Sequence, residues 1–278
     1  MFSWPTNYNS CYTISSSISR EGIGLHSGEK TRVKISSYDE EGYFVSFADK
    51  PNKIFKLEQD LIGSTMLCTA VKLGNRNLYT IEHLLSSLAG CGLSYIHIEV
   101  EGKEIPLLDG SAIQWVKEFE KVGIKRVPKP SNFMIKIDEP KIFNKDNSVI
   151  ALTPSEKLTI ISTIDFSYGA IGKQTFIIDL NPENFVKLIA PARTFGFKDQ
   201  FQELSELGLI KGGSLDNALV CDGEKWVNPP LRFDNEPIRH KILDLIGDLA
   251  LVGLPKAQII VYKGSHSLNA LLASSLKS

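Results

Sequence analysis

Apolar and polar residues alternate along 31–35, 43–47 and 95–100, so that in the last of these Ile96, Ile98 and Val100 share one face; this period of two predicts strands. The spacing changes between them. Over 80–89, Ile81, Leu84, Leu85 and Leu88 recur at helical intervals, with Gly90 and Gly92 following as a stop. A second helix is expected over 113–121, after the Asp109-Gly110 turn. The stretch 127–132 concentrates two prolines with polar residues and reads as the boundary between a unit at 1–127 and one at 128–278. Beyond it, strands are expected near 133–137, 149–153, 158–166, 174–179 and 257–262, with helices near 199–207 and over 237–252. Strands and helices mix without a regular β-α-β rhythm, which favours an α+β architecture over a doubly wound parallel sheet.

A chain of 278 residues can bury a full core and is long enough for two domains. Its 31 basic and 32 acidic residues nearly cancel, so it lacks the basic face of a nucleic-acid-binding module. Cys11, Cys68, Cys91 and Cys221 form no C-x-x-C pair and read as buried, reduced thiols of a cytoplasmic protein. No apolar run reaches the ~18 residues of a transmembrane helix, and the first residues do not resemble a signal peptide.

Chemistry concentrates in two places. On the 237–252 helix, His240, Asp244 and Asp248 fall at i, i+4 and i+8 and form one polar stripe amid isoleucines and leucines. A buried carboxylate needs a partner, and the C-terminal half of a helix disfavours negative charge. That partner is either a divalent cation, shared with the histidine one turn away, or a basic side chain such as Arg239 or Lys241. At 82–83 an adjacent Glu82 and His83 open an otherwise apolar helix, offering a base beside a ligand, or simply a first-turn acid and a core histidine. His266 adds a candidate general acid. His97 lies on a strand face with Tyr95 and Glu99, opposite the isoleucines, and is expected to be half exposed without a role.

Several motifs carry a family resemblance: Gly22-Ile-Gly-Leu-His-Ser-Gly28, Ser64-Thr-Met-Leu-Cys-Thr69, Thr80-Ile-Glu-His-Leu84, Leu108-Asp-Gly-Ser-Ala112, Ala192-Arg-Thr-Phe-Gly-Phe197, Gly212-Gly-Ser-Leu-Asp-Asn-Ala218, Leu231-Arg-Phe233 and the run from Arg239 to Asp248. In order and spacing they resemble the UDP-3-O-acyl-N-acetylglucosamine deacetylases, the zinc enzymes of lipid A synthesis. The resemblance implies two similar α+β domains, each a sheet layered with helices and carrying an insert, with the active site between them. It implies zinc, with iron(II) as the alternative ion, on His83, His240 and Asp244. Glu82 would then be the base, His266 the acid or the electrostatic partner of the oxyanion, oriented by Asp248, and Thr194 a donor to the oxyanion. Phe195 would line the sugar side, and Lys241 and Lys263 would meet the diphosphate of a UDP-linked acylated amino sugar. Residues 198–220 would wall an acyl-chain passage through Phe201, Leu204, Leu207, Leu209, Ile210, Gly213, Ser214 and Val220. His26 matches a motif position without an implied role. The chain departs from the family pattern at Ser265, where a glycine is usual, and at Tyr168-Gly169, where many members carry His-Pro.

Overall fold

The computed structural model describes residues 2–276. Two sheets carry the architecture. The first orders its strands Ile18–Ile23, Lys30–Ser37, Tyr95–Glu101, Gly42–Phe47 and Lys50–Lys56. The central strand runs antiparallel to Lys30–Ser37 and parallel to Gly42–Phe47. Thr31, Val33 and Ile35 point inward from Lys30–Ser37, as the alternation predicts. The second sheet repeats this plan with Lys141–Lys145, Ser148–Pro154, Leu254–Tyr262, Thr159–Asp165 and Lys173–Asp179. Its central Leu254–Tyr262 is again antiparallel to one hairpin and parallel to the other. Met134–Lys136 adds a short parallel pairing along the start of that strand.

Each sheet is followed through the chain by the same series: a helix, the central strand and a second helix. These helices are Glu82–Gly90 and Ile113–Val122 in the first half, and Glu236–Leu249 and His266–Leu276 in the second. Small additions precede the first helix of each series. One is the ribbon Val71–Leu73 with Arg76–Leu78; the other is a three-stranded sheet of Phe195–Phe197, Leu219–Asp222 and Lys225–Trp226, with the helix Phe201–Glu206 between its first two strands. The α+β expectation, two similar halves each with an insertion, describes this arrangement.

Three details differ from the sequence reading. The helix expected to reach 252 ends at Leu249, because Gly253 adopts φ +110 and turns the chain into the central strand. The helix His266–Leu276 was not anticipated, although Leu268, Leu272, Ala273 and Leu276 lie buried on one side of it. Tyr95, on the face of the strand opposite the isoleucines, is buried rather than exposed, because the ribbon of Cys11–Ile14 and Ile124–Val127 covers that end of the strand; Thr13 donates to its carbonyl at 2.7 Å. His97 is half-buried, with a ring nitrogen 2.9 Å from Ser46 Oγ. The four cysteines are free and buried.

The helices Glu82–Gly90 and Glu236–Leu249 pack directly on one another, and the main apolar core runs continuously across both halves. Every residue of Glu82–Gly90 is buried. No described helix is long and apolar enough to cross a membrane.

Candidate functional site

The crossing of these two helices builds the site. Gly247 makes it close: a Cβ there would lie 2.1 Å from the carbonyl oxygen of Glu82 and 3.0 Å from its Cα. Only a residue without a side chain lets the backbones approach so far. The crossing faces Glu82 and His83 towards Asp244 and Asp248 from opposite halves of the chain.

His83, His240 and Asp244 each offer one ligand atom, and these atoms lie within 4.8 Å of one another. Asp244 Oδ1 is 3.6 Å from His83 Nε2 and 3.3 Å from His240 Nε2. His240 is 2% exposed, and burial pushes its pKa down to about 4, with Asp244 only partly opposing. The ring is therefore neutral, and its Nδ1 donates to the Ala192 carbonyl at 3.1 Å. Its Nε2 then presents a lone pair to a carboxylate oxygen, acceptor against acceptor. Asp244 Oδ1 and His83 Nδ1 are both buried without a hydrogen-bond partner. Burial alone would raise Asp244, but the ammonium of Lys241 and the neighbouring histidines hold it well below the usual carboxylate range. Two imidazoles and an ionised carboxylate converging on one point fit a divalent cation, and the bond from His240 Nδ1 fixes that ring as ligand histidines are usually fixed. Lys241 Nζ holds the other oxygen of Asp244 at 2.8 Å. Of the two partners considered from the sequence, the basic side chain is thus found on one oxygen of Asp244, and the other oxygen faces the two histidines.

Glu82 stands beside this group, 2% exposed, its pKa raised by burial and by Asp244. One of its oxygens, Oε2, accepts the amide of Thr69 at 3.0 Å. Opposite it, His266 Nδ1 donates to Asp248 Oδ2 at 2.8 Å, while His266 Nε2 lies 4.0 Å from Asp244 Oδ2. Burial opposes a charge on His266, but Asp248 outweighs it and carries the pKa to about 9.

A cavity of about 370 Å³ extends from Phe195, whose ring centroid lies 6.4 Å from that of His240. Thr194, Phe195, Phe201, Leu204, Ile210, Gly213, Ser214 and Val220 line it. Leu25, His26 and Leu67, from the first half, complete the wall and were not identified from the sequence as lining residues. Of the leucines expected in this wall, Leu207, 63% exposed, and Leu209 do not line the cavity: the short helix Phe201–Glu206, which contributes Phe201 and Leu204, ends before them. Lys263 sits apart from the metal-type cluster, 3.3 Å from Asp165.

A carboxylate the sequence did not flag holds the His26 loop. Glu104, 2% exposed, accepts the amides of His26 and Ser27 at 2.9 and 2.8 Å and the hydroxyl of Thr80 at 2.9 Å. Burial would raise it, yet these donors keep it ionised below the ordinary range. It ties the cavity wall to Thr80, which at φ +59 turns the chain into the Glu82 helix.

The family model for UDP-3-O-acyl N-acetylglycosamine deacetylase matches residues 12–278. The chain is similar to the UDP-3-O-acyl-N-acetylglucosamine deacetylase of Trichormus variabilis, 44% identical over 269 residues that cover 94% of this chain and 96% of that protein. It is 42% identical over 269 residues to the Synechocystis sp. protein of the same name, covering 95% and 98% of the two chains. With that of Oleidesulfovibrio alaskensis the identity is 39% over 262 residues, covering 92% and 85%. A match of this extent, on a chain whose two halves bring His83, His240 and Asp244 together, shows that it belongs to the UDP-3-O-acyl N-acetylglycosamine deacetylase family.

Proposed function

We propose that this chain is a zinc amidohydrolase that removes the acetyl group of UDP-3-O-acyl-N-acetylglucosamine, giving UDP-3-O-acyl-glucosamine and acetate in the cytoplasm, as the committed step of lipid A synthesis. The observation that carries the reading is the inward-facing set of His83, His240 and Asp244 between Glu82 and the His266–Asp248 pair. Those three residues would hold the ion, zinc or alternatively iron(II), which when bound acidifies a water and polarises a carbonyl. Glu82, whose Oε2 accepts the Thr69 amide, takes the proton of the attacking water. Thr194 donates to the oxyanion of the tetrahedral intermediate. His266, oriented by Asp248, adds to that stabilisation and delivers a proton to the departing amine.

The apolar cavity beside Phe195 suits the acyl chain, with Phe201, Ile210, Gly213 and Ser214 along it. Lys241 and Lys263 would exchange Asp244 and Asp165 for the diphosphate. We place the division between domains at 127/128, a reading supported by the pairing of Ile124–Val127 back onto Cys11–Ile14. The second domain's insertion includes 198–220.

The reading is tested by incubating the purified protein with UDP-3-O-acyl-N-acetylglucosamine and following acetate. Release abolished by a chelator and restored by zinc is the expected result; no release from metal-loaded protein would overturn it. A second expectation concerns pH. An acid must be protonated to act, so the rate is expected to fall as pH rises through the His266 pKa, which Asp248 holds above the ordinary imidazole value against burial, and that alkaline limb should vanish in His266→Gln. An unchanged limb in the variant would assign the acid to another group.

A further inference from the structure

Thr69 ends the segment Ser64-Thr-Met-Leu-Cys-Thr69, is 1% exposed, and lies between the two groups that the reading above uses for proton transfer. Its amide donates to Glu82 Oε2 at 3.0 Å. Its hydroxyl donates to Asp248 Oδ1 at 2.5 Å, and the same Oγ1 is 3.2 Å from His266 Nδ1. The hydrogens can be counted. A threonine hydroxyl has one, and the short contact commits it to the Asp248 carboxylate. The other carboxylate oxygen, Oδ2, takes His266 Nδ1–H at 2.8 Å and Asn269 Nδ2–H at 2.9 Å. With both oxygens held, the carboxylate plane cannot turn, and the imidazole is fixed with Nε2 towards Asp244. Thr69 belongs to the first half of the chain, whereas Asp248 and His266 belong to the second, so the contact also spans the division.

We propose that Thr69 is a positioning residue of the reaction: its amide and hydroxyl together set the spacing between the group that takes a proton, Glu82, and the group that gives one, His266. The assignment rests on the deacetylase reading for its catalytic meaning, although the hydrogen-bond chain itself does not.

The discriminating variant is Thr69→Val, which keeps the amide and the side-chain volume and removes only the hydroxyl. In zinc-loaded protein, kcat is expected to drop roughly 10- to 100-fold with KM and metal content little changed, and Thr69→Ser should recover most of the loss. Wild-type kcat in Thr69→Val would overturn the proposal, as would a loss that serine does not rescue. A second readout does not depend on turnover: the downfield proton resonance of His266 Nδ1–H, assigned by its absence in His266→Gln. It should move or broaden in Thr69→Val and return in Thr69→Ser; an unmoved resonance overturns the proposal. Absence of acetate release by the wild type would count against the deacetylase reading alone, and the resonance would then decide the role of Thr69.

Discussion

Glu82→Gln is expected to bind as much zinc as the wild type and to release acetate roughly 10²–10⁴ times more slowly, the range usual for loss of a general base. Metal content should hold because Glu82 is not one of the three residues whose ligand atoms converge, and because glutamine can still accept the Thr69 amide. Proton acceptance is lost because an amide oxygen is a far weaker base than a carboxylate whose pKa burial has raised. Metal analysis alongside acetate release separates the two effects. Wild-type turnover would remove Glu82 from the base role, and loss of zinc would make it part of the ligand sphere.

Gly247→Ala should produce a comparably large change without touching an ionisable group. The new methyl would meet the Glu82 backbone at 2.1 Å, and backbone, unlike a side-chain tip, has nowhere to rotate. The two helices must separate, at a cost of about 1–3 kcal/mol for an overpacked core. Glu82 and His83 then move away from Asp244 and Asp248. Displacement of a catalytic group by about 1 Å can cost ~10²-fold in rate. The expected result is a lower melting temperature, weakened zinc binding in a competition titration with a chelator, and a large loss of kcat. Wild-type metal affinity would show that the helix crossing is not what assembles the site.

Much of the site could be read from the sequence because it sits on helices. A helix places i and i+4 on one face whatever the surrounding fold, so His240 and Asp244 pair on sequence spacing alone. Their burial followed from the isoleucines and leucines around them. Thr69 could not be read in the same way, since it lies outside the strands and helices, where no period says which way a side chain points. Glu104 was equally silent: a lone acid after a strand signals a solvated turn, and only the folded loop reveals three donors waiting for it. Gly247 gives no signal in the sequence, because the cost of a glycine in a helix is local whereas its use lies in the neighbouring helix. The repeated strand order of the two sheets was also hidden, because the expected strands implied neither a pairing order nor a register. Lys241 illustrates both sides: the helix spacing offers it as a partner of Asp244, one of whose oxygens it neutralises, whereas only the family resemblance directs it to a phosphate.

The division of the candidate ligands between two helices would join ion affinity to the cohesion of the molecule. An ion held by His83 from one half and by His240 and Asp244 from the other would act as a rivet across the seam, and linkage makes the effect reciprocal. Free ion at a hundred times its dissociation constant would add about 2.7 kcal/mol to the folded state. In return, any change that slackens the seam, even at a distance from the histidines, would be felt as weaker retention of the ion.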